Sequence, residues 1–153
     1  MKNNTELSER NKTGPVGAVV LENEYVIISH DEATSLLLLK WKRQITLEER
    51  QKIFLWAYGF SKTENIKNWL IDDEAIYIIT PEEKAWVTNI WTKLVANSGI
   101  EKIAVVTTDN FPNLQANASF TTSAQEKYRQ HGTTEHEVFT EYHLAYQWLL
   151  EGY

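Results

Sequence analysis

The chain has 153 residues, 42% of them hydrophobic, which is enough for one domain with a core and too few for two. Its net charge is −6, with fifteen basic residues scattered among twenty-one acids. That balance excludes the clustered Lys and Arg a nucleic-acid partner or an anionic membrane surface needs. Cysteine is absent, which excludes a disulfide framework, a thiolate zinc site and a cysteine nucleophile. No apolar run reaches the ~20 residues that cross a bilayer, so a cytoplasmic protein is expected.

Residues 1–15 are polar, with Asn3, Asn4, Asn11, Gly14 and Pro15, and read as a loose or disordered arm before a single domain over 16–153. Val16 to Leu21 and Glu24 to Ser29, joined by a turn at Glu22-Asn23, predict a hairpin. After a polar turn, His30 to Ala33, the run Leu36 to Trp41 lacks helical periodicity and predicts a third strand. Thr46-Leu47-Glu48-Glu49 is a capping box that opens a helix reaching about Phe60, with Leu47, Phe54, Ala57 and Tyr58 inward and Ile53 and Phe60 beside them. Leu55 and Trp56 fall off that stripe.

Trp69-Leu70-Ile71 predicts a buried strand ending near Asp72, followed by an acidic corner, Asp72-Asp73-Glu74, and an apolar crossing to Ile79. Thr80-Pro81-Glu82-Glu83 repeats the capping box with Pro at the first helical position. The helix it opens should bury Trp86, Val87, Ile90, Trp91, Leu94 and Val95 and end at Gly99 in a left-handed conformation. Lys102 to Thr108 predicts a central strand, because Ile103-Ala104-Val105-Val106 is apolar at consecutive positions. Phe111 to Gln130 reads as helical, broken into two pieces by Phe120 to Ser123. Glu135 to Phe139 predicts an edge strand. Thr140 then caps a last helix burying Leu144, Trp148 and Tyr142, with Leu149 at its margin. A hairpin followed by alternating units predicts an α/β domain with a mixed sheet, its later strands parallel and joined by right-handed crossovers, under about four helices.

The hairpin leading into Leu36–Trp41, the segments Trp69–Asp72 and Ile78–Glu82, the strand Ile103–Val106 and the closing strand with Trp148 together resemble the SpoIIAA-like fold of STAS domains and small stand-alone bacterial proteins. The resemblance covers about Val16 to Leu150 and lies in element order. It implies a non-enzymatic regulatory or protein-binding module. In several STAS domains a Ser or Thr in an Asp-Ser-Ser-Gly-like turn is phosphorylated. The corresponding turn here is Ile79-Thr80-Pro81-Glu82, where Thr80 alone stands in for the acceptor and the Ser-Gly part is missing.

Thr80 is therefore a candidate phosphoacceptor, with helix capping as its plainer role and Glu82 and Glu83 opposing a phosphate. Asp72, Asp73 and Glu74 sit where open α/β sheets bind ligands, yet without a second acidic cluster they read as a solvated loop, and no metal or cofactor is expected. Thr107, Thr108, Asp109 and Asn110 complete a candidate ligand crevice for a small anion. His30, His131, His136 and His143 match no HExxH spacing and read as surface residues. Neither a Gly-rich phosphate loop nor a GxSxG elbow occurs. Leu55 and Trp56, if exposed together, are candidates for a partner or self-association surface; a first helix sandwiched between other elements would bury them instead. Two functions of different class follow: a protein-binding module using the first helix and the 72–80 corner, or a small-molecule or anion-binding protein or enzyme using the crevice. A flat apolar patch marks the first, a polar cavity at the strand ends the second.

Overall fold

The computed structural model describes residues 17–151; the expected arm, residues 1–15, and the Val16 start of the first strand lie outside the described residues. Strands β1 (Ala18–Glu22), β2 (Val26–Asp31), β3 (Leu36–Trp41), β4 (Asn68–Asp72), β5 (Lys102–Val106) and β6 (Glu135–Phe139) form one sheet in chain order. The pairs β1–β2 and β2–β3 are antiparallel and the rest parallel, as a hairpin followed by crossovers requires. The polar turn after β2 is shorter than expected: β2 runs to Asp31, and a 3-10 turn at Glu32–Thr34 leads into β3.

Helix α1 (Leu47–Glu64) begins at the Thr46 capping box and runs one turn past Phe60, because Asn65 in the left-handed conformation closes it at the Ser61 carbonyl. Helix α2 comprises Pro81–Trp86 and Thr92–Val95 with a π-helical turn, Val87–Trp91, between them. That wider turn rephases the helix. Val87, Trp91 and Val95 are buried, and Ile90, expected inside, is half exposed. Gly99 closes the connection with φ +86. Helix α3 (Phe111–His131) is continuous rather than two pieces, since the Thr122 hydroxyl bonds back to the Ala118 carbonyl and Thr121 is buried. Helix α4 (Tyr142–Leu149) starts after Glu141, without a side-chain cap, so Thr140 does not cap it. Its buried residues are Tyr142, Ala145 and Leu149; Leu144 is exposed and Leu149 central rather than marginal.

Strand alternation decides which face each residue serves. Leu37, Leu39, Trp41, Trp69, Ile71, Ile103 and Val105 meet α1, α2 and α3 in the larger core. Leu36, Leu38, Leu70, Ala104 and Val106 meet α4 on the other side. Sequential parallel strands joined by right-handed crossovers put successive helices on one face, which is why α1 to α3 share it. Much of the aromatic content is used there: Phe54 and Trp69 pack on Trp91 at 4.9 and 5.3 Å, and Ser61 accepts the Trp69 indole N–H at 2.9 Å. Each such ring, fully buried, contributes on the order of 2–3 kcal/mol.

Candidate functional site

The carboxyl end of β4 continues the alternation one residue beyond the strand, and this separates the two aspartates. Asp72 and Asp73 are 1% and 4% exposed, which overturns the solvated-loop expectation; only Glu74 is exposed. Asp72 lies on the α4 side. Its carboxylate accepts from the Tyr142 hydroxyl and from the Glu74 amide at 3.0 Å, with the Lys40 ammonium at 3.9 Å. Burial and the adjacent Asp72 charge push the Tyr142 phenol well above its ordinary value, so it stays a donor, and the same two causes raise Glu74.

Asp73 lies on the opposite face, in the larger core, where two helix starts converge. Thr80 caps α2: its hydroxyl accepts the Glu83 amide at 3.1 Å, and Glu83 Oε1 accepts from the Thr80 hydroxyl and amide at 3.2 and 3.4 Å. Glu83 Oε2 accepts from Arg50 Nε at 2.7 Å, and both side chains are 2% exposed. The Arg50 guanidinium also lies over the Trp41 and Phe54 rings, at 5.7 and 5.6 Å. These contacts replace part of the hydration a buried charge loses.

A narrow internal cavity, about 20 Å³ open to the centre of a water molecule, joins Arg50 and Asp73 to Tyr128 and His136, with Val87 and Trp91 of the π turn in its wall. Arg50 Nη2, Asp73 Oδ1, Trp41 Nε1 and both ring nitrogens of His136 are buried around this region without hydrogen-bond partners. Burial, reinforced by Asp72 and Glu83, pushes Asp73 up to about 7 against the pull of Arg50. The Trp41 indole favours the Asp73 carboxylate electrostatically but does not meet it in a normal hydrogen bond. His136 is 5% exposed, contrary to the surface expectation, and burial lowers it to about 4. His131 and His143 are exposed, and His30 is half-buried edge-on to Phe60.

The other half of the expected crevice divides in the same way. The Asp73 amide donates to the Val106 carbonyl at 2.7 Å, so the ends of β4 and β5 do meet. Thr107 is fully buried, its hydroxyl accepting from Asn117 at 3.2 Å, while Thr108 is half-buried and Asp109 and Asn110 are exposed. A wider cleft of about 200 Å³ opens at the other end of the sheet, against Gln125, Arg129 and residues 133–137. Among the described residues no three His, Asp or Glu side chains are grouped to hold a metal ion, and no helix is long and apolar enough to cross a membrane.

Between Asp73 and Thr80 the chain is held outward. The Gln44 side chain accepts from the Tyr77 and Ile78 amides at 2.9 and 3.2 Å and donates to the Ile78 carbonyl at 2.9 Å. Tyr77 and Ile78 are each 63% exposed. Leu55 and Trp56, for which the sequence left burial and exposure both open, are exposed on α1, Trp56 stacking on Phe60 at 5.1 Å. Sequence reading missed Arg50, although it lies on the α1 stripe between Leu47 and Phe54, where a charge implies a buried partner. It also missed His136, which alternation places inward between Glu135 and Glu137. Nothing local marks Gln44 for this role, since Tyr77 and Ile78 lie more than thirty residues away.

Protein-family models, curated proteins and solved structures were compared with the chain, and none matches it.

Proposed function

We propose that the chain is a non-enzymatic binding or regulatory module of SpoIIAA-like type, which meets a protein partner through the corner spanning residues 73–80. The observation that carries this reading is the Gln44 clamp. Three hydrogen bonds from one side chain hold the backbone of Tyr77 and Ile78 while both apolar side chains stay in solvent. Pre-ordering lowers the conformational entropy lost on association, and an aromatic–aliphatic pair is suited to anchoring an interface. Sequential strand order with three helices on one face supports the SpoIIAA-like comparison, in which the matching turn carries control of partner binding.

The crevice alternative is less well supported, because the internal cavity beneath the corner is far smaller than the ~300–1,000 Å³ of ordinary ligand pockets. Thr80 serves as a cap with both hydroxyl functions engaged, so its phosphorylation would break the α2 start beside Glu82 and Glu83. In affinity capture from native cytoplasm, Tyr77→Ser/Ile78→Ser is expected to lose a partner that the wild type retains, at unchanged thermal stability. Trp56→Ala tests whether the α1 surface contributes, and sedimentation tests whether the partner is a second copy. Equal capture by the corner variant and wild type overturns the proposal.

A further inference from the structure

We propose that the 73–80 corner is anchored through a single exchangeable proton in the buried Arg50–Asp73–Glu83 cluster, so that proton loss from Asp73 repositions the surface carrying Tyr77 and Ile78. This rests on reading that corner as the partner-binding surface.

The two ends of the corner are carboxylates that face one guanidinium. At the closing end, Glu83 holds Thr80 through Oε1 and Arg50 Nε through Oε2, so helix cap and ion pair share one side chain. At the opening end, the Asp73 carbonyl accepts from the Ile76 amide at 2.9 Å and starts the turn. Arg50 Nη2 and Asp73 Oδ1 are each buried and unpaired, and both residues line the same cavity. Its volume of about 20 Å³ leaves the carboxyl room to turn.

One guanidinium cannot neutralise two buried carboxylates, and Glu83 already binds it directly, so Asp73 is the acid that retains a proton. The groups around Asp73 from the packed elements do not all pull one way: Arg50 of α1 favours the carboxylate, Glu83 of α2 and Asp72 of β4 join burial in favouring the acid, and Tyr128 of α3 and His136 of β6 line the far side of the cavity. Burial raises Asp73 into the neutral range and keeps His136 uncharged, so no second cation competes with Arg50. When Asp73 releases its proton to solvent, the uncommitted Arg50 Nη2 becomes its nearest available cationic donor. The new bond draws the start of the corner toward α1 while Gln44 and Thr80 hold the remainder.

The test is an NMR titration of the isotope-labelled full chain between about pH 5 and 9, following the Asp73 carboxyl carbon, the Tyr77 and Ile78 amides and the Gln44 side-chain amide. The expected result is an Asp73 midpoint near neutrality, with the corner amides moving at the same midpoint and not moving in Asp73→Asn. Glu83→Gln, which keeps the reach-back to Thr80 but removes the competing charge, should lower the Asp73 midpoint by about one unit or more. An ordinary midpoint near 4, or a neutral midpoint with stationary corner amides, overturns the inference; the wild-type titration decides this even if a variant fails to fold. A corner that titrates but loses no partner in Tyr77→Ser/Ile78→Ser retires the binding reading and leaves the proton anchor standing. A corner that captures a partner but does not titrate does the reverse.

Discussion

Arg50, Asp73 and His136 are ionisable side chains carried into a core, and each shows which charge the fold accepts. Asp73 ionises near 4 in an unfolded chain and about 7 here, so folding takes up a proton between those values. Its contribution to stability is full below about 4 and is lost as pH rises through about 7. His136 has the opposite sign: its value falls from the usual 6.5 to about 4, so its contribution is full above about 6.5 and is lost as pH falls through about 4. Across the shared window the two slopes, each at most about 1.4 kcal/mol per pH unit, nearly cancel. Single variants should separate them. Urea midpoints of Asp73→Asn should rise between about pH 4.5 and 6.5, and those of His136→Leu should fall between about 4.5 and 7. Wild-type pH profiles in both variants would show that neither group is held as described.

At the scale of elements, what could be read in advance depended on how local the determining interaction was. Both capping boxes were legible because Thr46 with Glu49 and Thr80 with Glu83 complete their bonds within four residues. The phase of α2 was not, because a π turn inserted between regular segments changes which residues face inward without a sequence signal of its own. Ile90→Lys should therefore change stability by less than about 0.5 kcal/mol, whereas Trp91→Ala should cost about 3–5 kcal/mol in urea unfolding. A regular α2 would reverse part of that contrast by burying Ile90. The phase of α4 was read only in part: Tyr142 is inward as expected and bonds to Asp72, seventy residues earlier in the chain, but on that phase Ala145 and Leu149 are buried and Leu144 is turned out.

For the molecule as a whole, the Tyr142–Asp72 bond ties α4, on the smaller face, to the strand end that also starts the 73–80 corner. Tyr142→Phe should lower global stability by about 1.5–3 kcal/mol, since it leaves the buried Asp72 with Lys40 at 3.9 Å as its charged partner. An unchanged urea midpoint would mean that α4 is seated by its apolar contacts and the Lys102 bond to the Trp148 carbonyl without help from Asp72. The amino-acid sequence by itself determined the α/β class, the hairpin followed by parallel strands and the two capped helix starts at Thr46 and Thr80, because periodicity, capping and turn chemistry act over a few residues. Tertiary structure alone decided that Asp72 and Asp73 lie buried on opposite faces, that Arg50 answers Glu83, that His136 is enclosed and that Gln44 holds Tyr77 and Ile78 outward. A charge enters a core only where distant segments bring it a partner, and a loop stays open only where another segment grips its backbone; both conditions arise from chain packing in three dimensions.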